Sequence, residues 1–360
     1  MKAAVCYEFG KPLVIEDIEL DPPQRGEVKV RIAAVAICHS DIHLLKGEWG
    51  RNLPVVAGHE AAGVVEVVGE GVTLTKPGDH VVVSLLRACG RCFYCATGAP
   101  HLCEGEFALS KESRLRNKRG ERIIQGIKTA AFAEYSVVDQ SQVVPIPAEV
   151  PLDSASLLAC GVITGLGAVV NTAKVAPNSS VAVIGLGGVG LNSVQGAVLA
   201  GAHPIIALDL LDSKLAVAKE FGATHAVNAG QPEEAVNTVK KLTSGRGADY
   251  VFVTVGSTVA VMQALDLIRR GGTVVLVGIP AESATVPLRV AHQVWYERRL
   301  LSSSMGSTRL SVDVPRLVAL YQYGRLKLDE LISARYPLEQ INEAIASVES
   351  GEARRNVIVF

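Results

Sequence analysis

Cys89, Cys92, Cys95 and Cys103 stand in the pattern C-x2-C-x2-C-x7-C. Four thiolates so spaced can close a tetrahedron around one ion. Zinc suits four soft thiolates and demands no redox partner. An iron–sulfur cluster also uses four thiolates, but the bacterial ferredoxin run is tighter before its last cysteine and ends in Pro. Here seven residues separate Cys95 from Cys103, and Glu104 follows. Zinc is favoured, with a cluster or unligated thiols as the alternatives. A closed four-thiolate site leaves no open coordination position. Its expected role is to fold a lobe, about residues 87–104, rather than to do chemistry.

A second constellation is Gly185-Leu-Gly187-Gly188-Val189-Gly190, directly after the β-branched run Ser180-Val-Ala-Val-Ile184. A lone G-x-G-x-x-G is weak evidence. This one follows a predicted strand, opens a predicted helix and has Asp209 19 residues beyond its last Gly. That is the context of a dinucleotide-binding turn. Gly185 allows the tight turn, Gly187 lets the backbone approach a pyrophosphate, and Gly190 lets helix and strand pack closely. Asp209 would accept hydrogen bonds from the adenosine ribose and repel a 2′-phosphate, which favours NAD over NADP. A Gly-rich turn without ligand is the alternative. Cys38, His59 and Cys160 lie up to 122 residues apart, and spacing alone does not group them.

The elements that must position these residues fall into two halves. The chain has 360 residues, enough for roughly two domains. Hydrophobic residues make up 49% and charged residues 20%, a globular rather than a disordered composition. A net charge of -1 argues against a dedicated nucleic-acid or anionic-membrane binder. Mean hydropathy is +0.29, and residues 154–173 and 176–208 lack Asp, Glu, Lys and Arg. Gly and polar residues interrupt both runs, so a buried parallel strand and its neighbours are favoured over a membrane span. Lys29–Ala36, Gly63–Val68, His80–Leu85 and Glu134–Val138 read as strands punctuated by Gly and Pro, an antiparallel β domain over residues 1–150. Lys111–Arg122 holds six basic residues and predicts an exposed loop, with contact to an anionic substrate as the alternative. From about Asp153, strands and helices alternate as far as Ile279, which implies a doubly wound parallel sheet. Seven cysteines, and an N-terminus with no long apolar stretch before Glu8, point to a reducing cytoplasm.

Taken in chain order, the motifs are Cys38-His-Ser-Asp-Ile-His43, Gly58-His-Glu60, the four-cysteine lobe, Cys160-Gly-Val-Ile-Thr164, the glycine turn, and Asp209 with Lys214. Together they resemble a zinc-dependent medium-chain alcohol dehydrogenase over essentially the whole chain, with a loop after Cys103 similar to the longer, liver-type members. The resemblance implies an α/β fold. A Rossmann doubly wound sheet (161–303) would bind NAD, and a GroES-like, β-rich catalytic domain (1–160 and 304–360) would carry the structural-zinc lobe. It implies a catalytic zinc on Cys38, His59 and Cys160, so two Zn²⁺ per subunit. It puts Glu60 close behind that zinc and Asp41 on the far ring nitrogen of His59. Ser40 would receive the alcohol proton and pass it through a nicotinamide ribose hydroxyl to His43. Thr164 and Val189 would pack on the nicotinamide, with Val277 and Ile279 also along the cofactor. His39 and Arg355 would meet the pyrophosphate beside Gly188, and Lys214 would join Asp209. Trp49, Leu85 and Ile279 would line the substrate pocket. His39 departs from the family's commoner Arg.

The implied reaction interconverts alcohols with aldehydes or ketones by hydride transfer to NAD from a zinc-bound alkoxide. The alternative within the family is a thiol-dependent formaldehyde dehydrogenase acting on S-hydroxymethyl adducts, motivated by the basic segment 111–122. A non-enzymatic zinc-ribbon binding protein is the remote alternative. The expected partners are a small-molecule substrate and other copies of the chain, in a dimer or a dimer of dimers, with neither nucleic acid nor membrane. Pairing is expected through an edge strand of the cofactor domain at Ala284–Leu288.

Overall fold

The computed structural model of the chain describes residues 1–50, 52–351 and 353–360. Two compact units emerge: Met1–Gly161 with Arg309–Phe360, and Val162–Thr308. Residues 304–308, which the sequence groups with the first unit, pack in the second.

One strand gathers the first unit. In β1 (Glu27–Ala36) the sequence EVKVRIAAVA alternates: Val28, Val30, Ile32 and Ala34 are buried, while Lys29 and Arg31 point toward solvent. That period of two is the signature of a strand with one apolar face. The helix α1 (His39–Leu45) follows, then β2 (Glu60–Val68), antiparallel to β1 with Ala36 opposite Glu60. β3 (His80–Val83) extends the sheet beyond β2. On the other side of β1, two strands share its length. β4 (Tyr135–Asp139) pairs with Glu27–Arg31, and the strand Arg355–Val359 pairs with Ala34–Ala36. The residues that follow Ala36, precede Glu60 and start the last strand are thereby brought to one end of this sheet. Apolar side chains of this sheet and of a second, six-stranded one form a common core that includes Val5, Ile32, Val56, Ile123 and Phe132. Each such side chain contributes about 1.5–3 kcal/mol on burial.

The second unit winds six parallel strands: β5 (Val181–Ile184), β6 (Ile205–Asp209), β7 (His225–Asn228), β8 (Ala248–Val253), β9 (Ile268–Leu276) and β10 (Arg299–Ser302). Their order is β7-β6-β5-β8-β9-β10, all parallel. Helices α2 (Gly188–Leu199), α3 (Asp212–Glu220), α4 (Pro232–Leu242), α5 (Thr258–Leu267) and α6 (Val290–Trp295) connect them. This is the dinucleotide-binding strand order, with its switch point between β5 and β8. Every side chain of β5 is buried, as a central strand covered by helices requires.

The apolar run 154–173 is helical, within segments Leu152–Ser156, Leu157–Ala159, Gly161–Gly167 and Ala168–Ala173, and the run 176–208 holds the buried parallel strand β5. No single helix among the described residues is long and apolar enough to cross a membrane. Within one copy of the chain Ala284–Leu288 pairs with no strand, and the parallel sheet ends at β7 on one side and β10 on the other. Lys111–Arg122 is not simply an exposed loop. Leu115–Arg116 pairs with Arg122–Gln125 as a hairpin, and Arg114 is buried. Its guanidinium grips Glu27 with two hydrogen bonds, Nε to Oε2 at 2.9 Å and Nη2 to Oε1 at 2.6 Å. Charge density masked this arrangement, because the carboxylate partner lies 87 residues away. Lys111, Arg116 and Lys118 also face carboxylates, on Glu106, Asp21 and Asp17.

Breaking a buried ion pair on one side leaves an uncompensated charge and costs about 3–5 kcal/mol. Arg114→Ala should therefore lower the unfolding free energy by that amount, read as a lower urea midpoint in circular dichroism. Lys118→Ala, at an exposed pair, should leave the midpoint nearly unchanged.

Candidate active site

Cys38 is the N-cap of α1, two residues after β1 ends. His59 immediately precedes β2, and Cys160 lies just after the short helix Leu157–Ala159. The pairing of Ala36 with Glu60 carries Cys38 and His59 together. Cys160 arrives through β3, whose end pairs with Ala61. The next residue, Ser84, donates its hydroxyl to the carbonyl of Ala159 at 2.7 Å. The ligand atoms of Cys38, His59 and Cys160 then lie within 4.8 Å of one another, all buried.

Asp41 orients this cluster. Its Oδ1 accepts the Gly58 N–H and the His59 Nδ1 hydrogen, each at 2.9 Å, and its Oδ2 accepts the Cys38 N–H at 3.2 Å. With Nδ1 committed to Asp41, His59 presents Nε2 to the thiols, 3.3 Å from Cys160 Sγ. Such a carboxylate–histidine pair fixes the tautomer a metal ligand needs. Hydrogen bonding with Cys160 and His59, aided by the charge of Arg355, pulls the Cys38 thiol well below its ordinary range despite burial. Behind the ligands, Glu60 Oε1 accepts the Gly161 N–H at 2.9 Å. Glu60 Oε2 lies 3.7 Å from Arg355 Nη2, and neither atom has a hydrogen-bond partner. Burial raises the Glu60 pKa to about 7, against the opposing charge of Arg355. The structure thus places Arg355 beside Glu60, with Nη1 donating to the Ile37 carbonyl at 3.3 Å.

The lobe cysteines also converge. The sulfurs of Cys89, Cys92, Cys95 and Cys103 lie within 4.8 Å of one another, and Cys92 and Cys103 are 3.8 Å apart. Two sulfurs at the roughly 2.3 Å zinc–thiolate distance and a tetrahedral angle stand about 3.8 Å apart. Backbone N–H groups of Cys89, Cys92, Cys95 and Gly105 point at the sulfurs. N–H groups of Cys95 and Glu104 hold the Cys92 thiol down to about 6. Both donor sets fit zinc: four thiolates in the lobe, two thiolates and an imidazole in the cluster.

In the second unit, Gly185 has φ +90° at the end of β5, and α2 begins at Gly188. A Cβ on Gly190 would come within 1.8 Å of the Gly185 carbonyl oxygen, so only glycine fits there. Asp209 ends β6. Its Oδ2 accepts the Leu186 N–H at 2.7 Å and its Oδ1 the Leu211 N–H at 3.1 Å, so the carboxylate also ties down the glycine turn. Lys214 is half-buried on α3, Thr164 and Val277 are buried, Val189 is half-buried and Ile279 is exposed.

On α1, His39 is exposed while Ser40 and His43 are half-buried. Trp49 packs on the core of the first unit, and Leu85 is half-buried next to Ser84. Sequence reasoning missed Ser84, Glu48 and Thr254. Glu48 contacts His43, and the Thr254 hydroxyl donates to the Gly185 carbonyl at 2.7 Å. None of the three belongs to a motif, although Ser84 and Thr254 each lie just beyond a strand end, where functional side chains collect.

Comparison with known proteins adds a family context. The profile of the alcohol dehydrogenase GroES-like domain matches residues 24–148, and that of the zinc-binding dehydrogenases matches residues 188–322. The NDMA-dependent alcohol dehydrogenase of Amycolatopsis methanolica is 41% identical, across 99% of this chain and 98% of that protein. The crystal structure of an alcohol dehydrogenase zinc-binding domain protein from Burkholderia ambifaria superposes with a TM-score of 0.95 at 35% identity, covering 100% of this chain and 98% of that one. Benzyl alcohol dehydrogenase from Acinetobacter calcoaceticus superposes at 0.92 with 31% identity, covering 100% and 99%.

Removing an outer partner of a metal-ligating histidine weakens the metal roughly 10- to 100-fold. With zinc loaded on both donor sets, Asp41→Asn should therefore loosen it at Cys38, His59 and Cys160 by that factor and leave the ion on the four lobe thiols in place. Chelator competition with the two releases resolved checks this.

Proposed function

The chain belongs to the zinc-dependent medium-chain alcohol dehydrogenases, and from that premise we propose that it interconverts alcohols with aldehydes or ketones using NAD and two zinc ions per subunit. The observation that carries this is the buried set of three donors, Cys38, His59 and Cys160, keyed by Asp41. When bound there, zinc supplies Lewis-acid polarisation of a substrate oxygen at the position the three donors leave open.

The chain's own residues do the rest. Asp41 holds the His59 ring, and Glu60 with Arg355 supplies a charge pair behind the ligands. Ser40 and His43 stand three residues apart on α1, hence on one face, and carry the alcohol proton outward. The glycine turn before α2 takes the cofactor pyrophosphate, and Asp209 takes the adenosine ribose hydroxyls. A 2′-phosphate would meet the Asp209 carboxylate, which favours NAD over NADP. Cys89, Cys92, Cys95 and Cys103 hold the second zinc as a folding ion. The thiol-adduct alternative is the weaker reading, since four of the six basic residues in 111–122, Lys111, Arg114, Arg116 and Lys118, face carboxylates of the chain itself. None of the seven cysteines is in a disulfide, and six are kept for metal, which fits a reducing, cytoplasmic location.

A second copy of the chain is the proposed partner. On α6, Val290, Val294 and Trp295 are 66%, 70% and 71% exposed, and β10 is an open sheet edge. Apolar side chains beside an unpaired edge suit a symmetric interface.

NADH formation from a panel of primary and secondary alcohols, with NAD and NADP compared and NDMA offered as an alternative acceptor, tests the chemistry. NAD should be preferred, and Asp209→Gly should narrow the gap to NADP. Turnover with NDMA but no NADH from any alcohol would overturn NAD as the exchangeable acceptor. In sedimentation at micromolar concentration the native chain should be at least dimeric, and Trp295→Glu should shift it toward the monomer.

A further inference from the structure

His43 sits in the last turn of α1, which ends at Leu45 with Lys46 as its cap. The chain then reverses through a two-bond closing turn. Gly47 N–H donates to the Leu44 carbonyl at 3.0 Å, and Glu48 N–H donates to the His43 carbonyl at 3.1 Å. That bond pattern is the Schellman termination of a helix, and it requires a left-handed residue between the two strides of the turn. Gly47 supplies it, with φ +76°. A Cβ there would also stand 2.8 Å from Cγ of Phe9. The turn lays the side chain after the glycine over the residue three from the helix end. Usually that contact is apolar. Here it is polar: Glu48 Oε2 lies 2.5 Å from His43 Nδ1. The Trp49 ring stands beside the imidazole, with centroids 5.7 Å apart.

We propose that Glu48 is a positioning residue for His43: its carboxylate accepts the Nδ1 hydrogen and leaves Nε2 as the nitrogen that takes up and releases the relayed proton. The role rests on the proton-relay function given to Ser40 and His43 above. The proton that leaves the alcohol by way of Ser40 adds to the Nε2 lone pair, giving an imidazolium whose positive charge Glu48 balances. Nε2 then gives the proton to solvent, while the Nδ1 hydrogen stays in place throughout. Two further basic residues lie on the same helix and its cap: His39, one helical turn earlier, and Lys46. Lys46 is held by Glu349 at 2.6 Å. The carboxylate in contact with the imidazole is that of Glu48.

The side chains of His43 and Glu48 are 30% and 39% exposed, so the ring that receives the relayed proton also has access to solvent.

The test uses zinc-loaded protein carrying isotope-labelled histidine, with His43→Gln to assign the resonance. In the native chain with a neutral ring, His43 should show a protonated Nδ1 and a bare Nε2. Glu48→Leu should erase the preference for the Nδ1 hydrogen, whereas Glu48→Gln, whose amide oxygen can still accept it, should keep most of it. In Glu48→Leu kcat for alcohol oxidation should fall severalfold with KM for the alcohol unchanged, and Glu48→Gln should recover part of the loss. An unmoved tautomer in Glu48→Leu would overturn the role of Glu48 while leaving the relay intact. A moved tautomer with an unmoved kcat would instead overturn the relay assignment of His43, and the positioning role with it.

Discussion

Asp41 is the interaction on which the candidate site depends. Its carboxylate is fully buried and accepts three N–H groups, from Cys38, Gly58 and His59. A buried carboxylate without such partners would be strongly disfavoured, so these bonds are a structural requirement before they are a catalytic one. Two loops satisfy them, one leaving β1 and one entering β2. The antiparallel pairing of those strands is the only long-range event needed to bring the loops together. Metal-ligand geometry at Cys38 and His59 is thus a by-product of satisfying one acid.

Two buried acid–arginine pairs in the first unit show how differently the same chemistry can be used. Glu27 and Arg114 meet through two hydrogen bonds and pin the Leu115–Gln125 hairpin to the start of β1. Glu60 and Arg355 are just as buried, yet their facing atoms stop at 3.7 Å and stay unpaired. Closed pairs of the first kind specify a fold. An open pair keeps unspent hydrogen-bonding capacity, and functional sites are where proteins tolerate that expense.

How much of this was legible in the sequence depends on the range of each signal. The lobe, the glycine turn and the alternation of strands and helices after residue 180 are local patterns, and the structure forms the corresponding elements within a few residues of where periodicity puts them. Cys38, His59 and Cys160 are dispersed, and only resemblance to a family groups them. Arg114 looked like part of a solvated loop because its partner is distant in the chain. Residues 154–169 are buried throughout, so no exposed face marks the period that separates helix from strand. Glu48 was invisible for another reason: its role comes from the handedness of the backbone at Gly47, which composition does not encode.

The first unit is interrupted by the second, so residues 309–360 of the first are made after the whole of the second. On a ribosome the lobe has all four thiols as soon as residue 103 has emerged. Cys38, His59 and Cys160 are complete only after residue 160, and Glu60 then waits for Arg355 through more than half of the chain's synthesis. Until the strand Arg355–Val359 is laid against β1, the buried acid behind the ligands has no cation to balance it. Metal capture by the lobe can begin early in synthesis, whereas the charge that balances Glu60 arrives with Arg355, almost 300 residues later.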